Sequence, residues 1–188
     1  MPQPFVIIVN GPPGVGKTTL AGRLARDLQL PVLSRDGIAE TLYDALDYQT
    51  TGRPALFGHA SFTLLYYFAG TLLAAGQSVI VEGCFRFPEV ATNEFRQLQQ
   101  QHDFIPLQIQ CQGDGSVILE RFLARASTPE RHVCHRDLEF AEHSRDIFLR
   151  GRLADLSLGG QVVDIDMTDL LTYNYVGLLD RVRSILHT

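Results

Sequence analysis

The chain has 188 residues, 45% hydrophobic and 20% charged, with a formal net charge of −5. That size and balance fit one globular domain with a sizeable core and exclude a disordered or fibrous chain. The negative balance gives no electrostatic footprint for nucleic acid or an anionic membrane surface, although a local basic groove stays open. Cys84, Cys111 and Cys134 are odd in number and lack metal-ligand spacing, so a reducing compartment such as the cytoplasm is expected. The N-terminus has no basic region running into a cleavable apolar stretch, and no signal peptide is expected.

Phe5-Val6-Ile7-Ile8-Val9 is an unbroken apolar run, as in a parallel strand covered on both faces. It leads into Gly11-Pro12-Pro13-Gly14-Val15-Gly16-Lys17-Thr18, which satisfies G-x-x-x-x-G-K-[ST] at every position. Leu20, Leu24 and Leu28 then recur at helical spacing. Strand, glycine-rich turn and helix follow in the order a phosphate-binding loop needs. Its glycines let the backbone approach phosphate with its N–H groups turned inward, and the helix start adds partial positive charge. Lys17 is the only lysine, and the other fifteen basic residues are arginines. A compact ammonium reaches β- and γ-phosphates where a planar guanidinium fits poorly. The expected nucleotide-binding set is Gly11, Gly14, Val15, Gly16, Lys17, Thr18 and Thr19, with the Thr18 hydroxyl offered to Mg²⁺.

Val32-Leu33-Ser34 reads as a second strand, followed by a helix marked by Ile38, Leu42 and Leu46. A loop is expected over Gln49–Pro54, then a long helix from about Leu56 to Ala75. Ala55 to Val81 contains no Asp, Glu, Lys or Arg, long enough to raise a membrane span. His59, Ser61, Thr63, Gly70 and Thr71 dilute it, and it lies between two halves of one candidate site, so a buried helix and strand are expected. Val79-Ile80-Val81 is the third strand. A helix near Pro88 carries Val90, Phe95 and Leu98. Phe104–Cys111 is the fourth strand, Val117–Ala126 a helix, Asp137–Arg150 another helix, and Val162–Ile165 the fifth strand. A last amphipathic helix holds Leu170, Leu171, Leu178, Val182 and Ile185. This alternation predicts a single α/β domain with a five-stranded parallel sheet and helices on both faces.

Ligands of such sheets gather beyond the carboxyl ends of the strands. Asp36 follows the second strand and is suited to take a proton from an attacking hydroxyl or to help hold Mg²⁺, or to cap the helix near Ile38. Arg35 beside it is a candidate substrate contact. Glu82 ends the third strand, where a carboxylate orients Mg²⁺ or its water. Arg86 follows, close enough for phosphate or substrate. After the fourth strand, Arg121 and Arg125 share a helix face. Arg131 lies beyond in a polar, breaker-rich segment, and a lid is expected over about 126–137. Asp164, Asp166 and Thr168 follow the fifth strand, where acidic turn residues are common. His132, Cys134 and His135 make a poor tetrahedral set for zinc.

These motifs resemble the small P-loop kinases: shikimate and gluconate kinases, chloramphenicol phosphotransferase, zeta toxins and the kinase domain of polynucleotide kinase. The resemblance spans essentially the whole chain. It implies a P-loop three-layer sandwich of strand order 2-3-1-4-5, ATP and Mg²⁺ as cofactors, and a closing lid. By the same resemblance Asp36 activates the acceptor hydroxyl, Lys17 and Thr18 hold phosphate and magnesium, Arg125 and Arg131 are lid arginines, and Arg121 packs on adenine. Glu82 stands where an aspartate is common. The expected activity is transfer of the γ-phosphoryl group of ATP to a hydroxyl of a small molecule, with Arg53, His59 and Tyr66 as further acceptor contacts. The Ser34-Arg35-Asp36 triplet also resembles polynucleotide kinases, leaving a 5′-hydroxyl kinase as an alternative. A third reading is an ATP-binding switch. A GTPase base-reading Asn/Thr-Lys-x-Asp motif is excluded, because the only lysine is in the phosphate loop.

Overall fold

The computed structural model describes residues 3–187. Five parallel strands form its centre: β1 (Phe5–Asn10), β2 (Val32–Ser34), β3 (Val79–Glu82), β4 (Ile105–Gln112) and β5 (Gln161–Asp166). Their order, β2-β3-β1-β4-β5, is the one expected. Every residue of β1 and β3 is buried, because helices cover both faces, and this is why both read as continuous apolar runs. Register sets where the site lies. Glu82 pairs with Val9 on one side and with Ser34 on the other, so β1, β2 and β3 finish level at one sheet edge.

On one face α1 (Lys17–Leu28), α6 (Gly115–Ala126), α7 (Asp137–His143), α8 (Arg145–Leu149) and α9 (Tyr175–Leu186) close over the sheet. Leu20, Leu24, Phe122, Phe148 and Val182 meet Ile7 and Ile109 in that core. On the other face α4 (Phe57–Ala74) and α5 (Pro88–His102) bring Leu65, Ala69 and Phe95 against Val6 and Ile8. A small third cluster joins Ala39 of α2 (Arg35–Ala45), Phe57 and Cys134, with Leu42, Tyr43 and Tyr48 packed around them. Gln108 and Gln110 on β4 are buried among apolar neighbours. Gln108 exchanges two hydrogen bonds with the backbone of Leu156, and Gln110 donates to Ala154 O, which fixes the 151–158 segment against the sheet.

Four sequence expectations change in detail. The helix foreseen over Asp137–Arg150 is broken at Ser144, whose backbone leaves helical geometry (φ −133°, ψ 27°). The break lets α8 turn Phe148 fully into the core. The last helix starts at Tyr175, because Asp169 accepts from Leu171 N at 2.8 Å and from the Thr172 hydroxyl at 2.8 Å and winds residues 169–172 into a turn. Leu171 is consequently 94% exposed. The Gln49–Pro54 loop opens with a helical turn, α3 (Tyr48–Thr51). Lastly, α2 begins at Arg35 rather than near Ile38, with Ser34 as its cap. Among the described residues no helix is long and apolar enough to cross a membrane.

Candidate active site

The phosphate loop is shaped by its glycines. Gly11, Gly14 and Gly16 have φ of 152°, 82° and 107°, values that residues with a Cβ rarely adopt. At Gly11 a Cβ would lie 2.4 Å from Cys111 O, so the loop is pressed against the end of β4. Asn10 Oδ1 accepts from Gly11 N at 2.8 Å and from Phe85 N at 3.0 Å, tying the loop to the segment after β3. Gly16 caps α1 and offers no side-chain acceptor, so the first N–H groups of the helix present their partial positive charge uncapped. Lys17 is buried at 7% exposure and donates from Nζ to Pro12 O at 2.9 Å, arching along the loop.

A cleft of about 820 Å³ opens beside this loop, and the expected residues converge on it. Gly14, Gly16, Lys17, Thr18, Thr19, Arg35, Asp36, Arg53, His59, Tyr66, Glu82, Arg86, Arg121, Arg125 and Arg131 all line its wall. Two members of the nucleotide-binding set do not. Val15 is fully buried in the hydrophobic core, and Gly11 is turned toward β4, so these two shape the loop rather than face the cleft.

Asp36 is not the helix cap. Ser34 takes that duty by accepting from Gly37 N at 3.3 Å, which leaves the Asp36 carboxylate 40% exposed toward the cleft. Arg35 Nη1 donates to it at 3.1 Å, and Arg131 Nη2 and His135 Nδ1 stand at 3.9 and 4.0 Å. Burial alone would raise this carboxyl. His135, Arg35, Lys17 and Arg131 together outweigh burial and hold it below the ordinary aspartate value. Glu82 is the opposite case. At 3% exposure, burial pushes its carboxyl up, against the pull of Lys17 and of hydrogen bonds from Ser34 and Thr18. The Ser34 hydroxyl donates to Glu82 Oε2 at 2.8 Å. Thr18 and Glu82 thus face each other, a hydroxyl and a carboxylate that suit a hard cation retaining much of its water.

The three arginines of the lid side are unequal. Arg121 donates to Met167 O at 2.8 Å and to Thr168 O, joining α6 to the turn after β5. Arg131 is held by Asp137 through two hydrogen bonds of 2.5 and 3.0 Å. It is therefore paired with a carboxylate while it lines the cleft. Arg125 has a ring contact, lying 5.8 Å from the centroid of Phe122. Burial and then the neighbouring Arg131 act against its cation, so an anion in the cleft would satisfy it.

Farther from the loop the wall changes character. Phe62 stacks on Tyr66 with centroids 6.4 Å apart, and Phe85 bridges Phe62 and Phe95. Arg35 lies 5.3 Å from the Phe62 centroid. Arg53 donates to Cys134 O at 2.5 Å, and Arg86 reaches the Ser144 hydroxyl at 3.4 Å. Asp137, His135, Glu94 and Leu170 also line the cleft and were not singled out from the sequence as site residues. The helical spacing of Asp36, Glu40 and Asp44 is the sequence signal that could have pointed to the acidic face met by Arg131, His132 and His135. Asp164 is turned instead to Arg152, which donates to it at 2.8 Å. Among the described residues no group of three or more His, Cys, Asp and Glu gathers as a metal cage.

A level sheet edge, a glycine-shaped phosphate loop and a cleft walled by one ammonium, four carboxylates and several guanidinium groups define a P-loop protein of the small-kinase fold. The family model described as an AAA domain matches residues 6–142, and the chain belongs to that family. A solved candidate kinase from Chloroflexus aurantiacus J-10-fl is 34% identical, with all of this chain and 98% of that one covered, at a TM-score of 0.83. The APS kinase of Mycobacterium tuberculosis, in complex with AMPPNP and APS, shares the fold at 15% identity and a TM-score of 0.65, with 100% of each chain covered. A gluconokinase from Sinorhizobium meliloti 1021 does so at 16% identity and a TM-score of 0.54, covering 98% of this chain and 96% of that one. No curated protein matches the chain.

Proposed function

We propose that the protein is an ATP-dependent phosphotransferase that moves the γ-phosphoryl group to a hydroxyl of a small molecule in the cytoplasm. One observation carries this reading: the Asp36 carboxylate, released from capping by Ser34, faces the same cleft as Lys17 and the uncapped start of α1. Lys17 and the loop N–H groups bind the β- and γ-phosphates of ATP. Mg²⁺ on the Thr18 hydroxyl, with Glu82 behind it, would offset phosphate charge. Asp36 takes the proton of the acceptor hydroxyl as its oxygen bonds to the γ-phosphorus, and the bond to the ADP oxygen breaks. Arg125 stabilises charge on the group in transit, while Arg131, restrained by Asp137, borders the base. Most of the rate gain comes from alignment and fixed charge. The complex of APS kinase with AMPPNP supports ATP as the donor.

Transfer of labelled γ-phosphate to a panel of sugars, polyols, aromatic alcohols and antibiotics tests this reading. Asp36→Asn should lower kcat by about 10²- to 10⁴-fold and leave ATP binding intact. ATP binding with no acceptor phosphorylated, and no loss on that substitution, removes the claim. A second reading, a kinase for 5′-hydroxyl ends of oligonucleotides, draws on Arg53, Arg86 and the exposed Phe87 lining the same cleft. Labelling of a 5′-hydroxyl oligonucleotide separates the two.

A further inference from the structure

Three acids stand one turn apart along α2: Asp36, Glu40 and Asp44. The 131–137 segment meets them with basic groups. Arg131 Nη2 lies 3.9 Å from Asp36 Oδ2, and its Nη1 lies 4.0 Å from Glu40 Oε1. His135 Nε2 is 2.7 Å from Glu40 Oε1, and its Nδ1 is 4.0 Å from Asp36 Oδ1. His132 Nε2 is 3.1 Å from Asp44 Oδ1. Between the two histidines Cys134 is buried at 2% exposure against the cluster of Ala39 and Phe57, and Arg53 bonds its carbonyl. The segment is therefore seated on α2 by an apolar plug flanked by charge pairs.

We propose that Glu40 and His135 are positioning residues that hold the Asp36 carboxylate in its working orientation. The role assigned to Asp36 rests on the phosphotransferase reading above. Of the three basic groups within 4.0 Å of this carboxylate, Arg35 is its chain neighbour and needs no further anchor. The other two, His135 and Arg131, arrive from a segment about a hundred residues away, and both contact Glu40. The imidazole is 5% exposed, and Glu40 fixes its ring by the 2.7 Å contact at Nε2. Its far nitrogen is thereby aimed at Asp36. A carboxylate flanked at both oxygens keeps a defined direction toward an acceptor hydroxyl, and misplacement of such a group by about 1 Å can cost on the order of 10²-fold in rate.

The sign of one measurement separates this role from simple proximity. Glu40 is a like charge one turn from Asp36, so through space its removal should lower the Asp36 carboxyl further. Acting as an anchor, its removal frees His135 and Arg131 and the Asp36 carboxyl rises. The groups facing Asp36 are Arg35 and Glu40 on α2, Lys17 on α1, Glu82 on β3, Arg125 on α6, Arg131 and His135 on the segment, and the thiols Cys84 and Cys134.

Glu40→Ala and His135→Gln in the full chain make the test, and the half-exposed Glu40 gives little risk of misfolding. In Glu40→Ala the Asp36 carboxyl, followed by carbon-13 NMR, should titrate at higher pH, and Glu40→Asp should restore it. Amide exchange over 131–137 should rise by about tenfold or more in both variants. Slow Mg·ATP hydrolysis, with water as acceptor, should fall about tenfold while KM for ATP stays within about twofold. A downward or unchanged Asp36 titration with unaltered exchange overturns the proposal. If the acceptor panel shows no transfer, the phosphotransferase reading alone fails, and the NMR and exchange results still decide the positioning role.

Discussion

Two carboxylates that feel the same lysine are driven in opposite directions by their surroundings. Asp36 keeps solvent on one side and collects basic neighbours, so its proton leaves easily. Glu82 is sealed at the end of β3, where desolvation dominates. A carboxyl whose folded value exceeds its unfolded one binds its proton more tightly in the native state. It costs no stability below the unfolded value, near 4.5, and the cost grows as pH rises through the folded value. Glu82→Gln should therefore raise Tm in the metal-free protein at neutral pH, with the gain fading toward pH 4. Calorimetric scans across that range check it, and an equal or larger gain at pH 4 refutes the assignment. The same substitution should depress phosphoryl transfer. Glu82 was legible as a site residue because an apolar run ended in an acid. Its partnership with Ser34 was not, since adjacent parallel strands β2 and β3 are brought together by a crossover that no local pattern records.

The phosphate loop is the element whose sequence constrains its shape most directly. Gly11 sits where β1 ends and β4 passes within contact distance, so any Cβ there meets the Cys111 carbonyl at 2.4 Å. Gly11→Ala must shift backbone on one side or the other. It should reduce ATP affinity at least about tenfold and lower stability by roughly 1–3 kcal/mol. Titration calorimetry with ATP and chemical denaturation measure the two effects, and wild-type values for both would show that the loop is free to move away. The five strands and α1, α4, α5 and α6 followed from apolar runs and helical spacing, whereas the strand order followed from the resemblance to small P-loop kinases. At one slip a side chain competes with the helix: Asp169 winds the backbone into a turn ahead of α9. At another the backbone leaves helical geometry at Ser144, between α7 and α8. Local pattern does not record that break, beyond which Phe148 and Leu149 abut Gly115 of α6.

At the scale of the whole molecule the cleft is bordered by parts distant in sequence: the loop before α1, the start of α2, the end of β3, α6 and the 131–137 segment. A ligand that grips several of these at once stabilises the native chain by mass action. With ATP at about 100 times its Kd the gain is about 2.7 kcal/mol. A chain of this length should then melt roughly 5–10 °C higher. Lys17→Ala should abolish most of that rise, and a full rise in the variant would mean that nucleotide binds elsewhere. The phosphate-binding half of the cleft was readable because one short motif encodes it. The rest of the cleft was readable only in part. Arg35, Arg53, His59 and Arg86 were expected near it and line its wall, while Phe62 of α4, Phe85 after β3 and Glu94 of α5 reach the same wall only through tertiary packing.

A chain that builds its surface cations from arginine leaves only one ε-amine, and that amine lies in the nucleotide cradle at 7% exposure. Acylating reagents and cellular acyl donors aimed at lysine therefore have one side-chain target, and reaction there removes the charge that the cradle depends on. Acetyl-lysine detected by mass spectrometry would count inactivated molecules directly, and protection from an amine-reactive ester would report occupancy of the cradle without any engineered label.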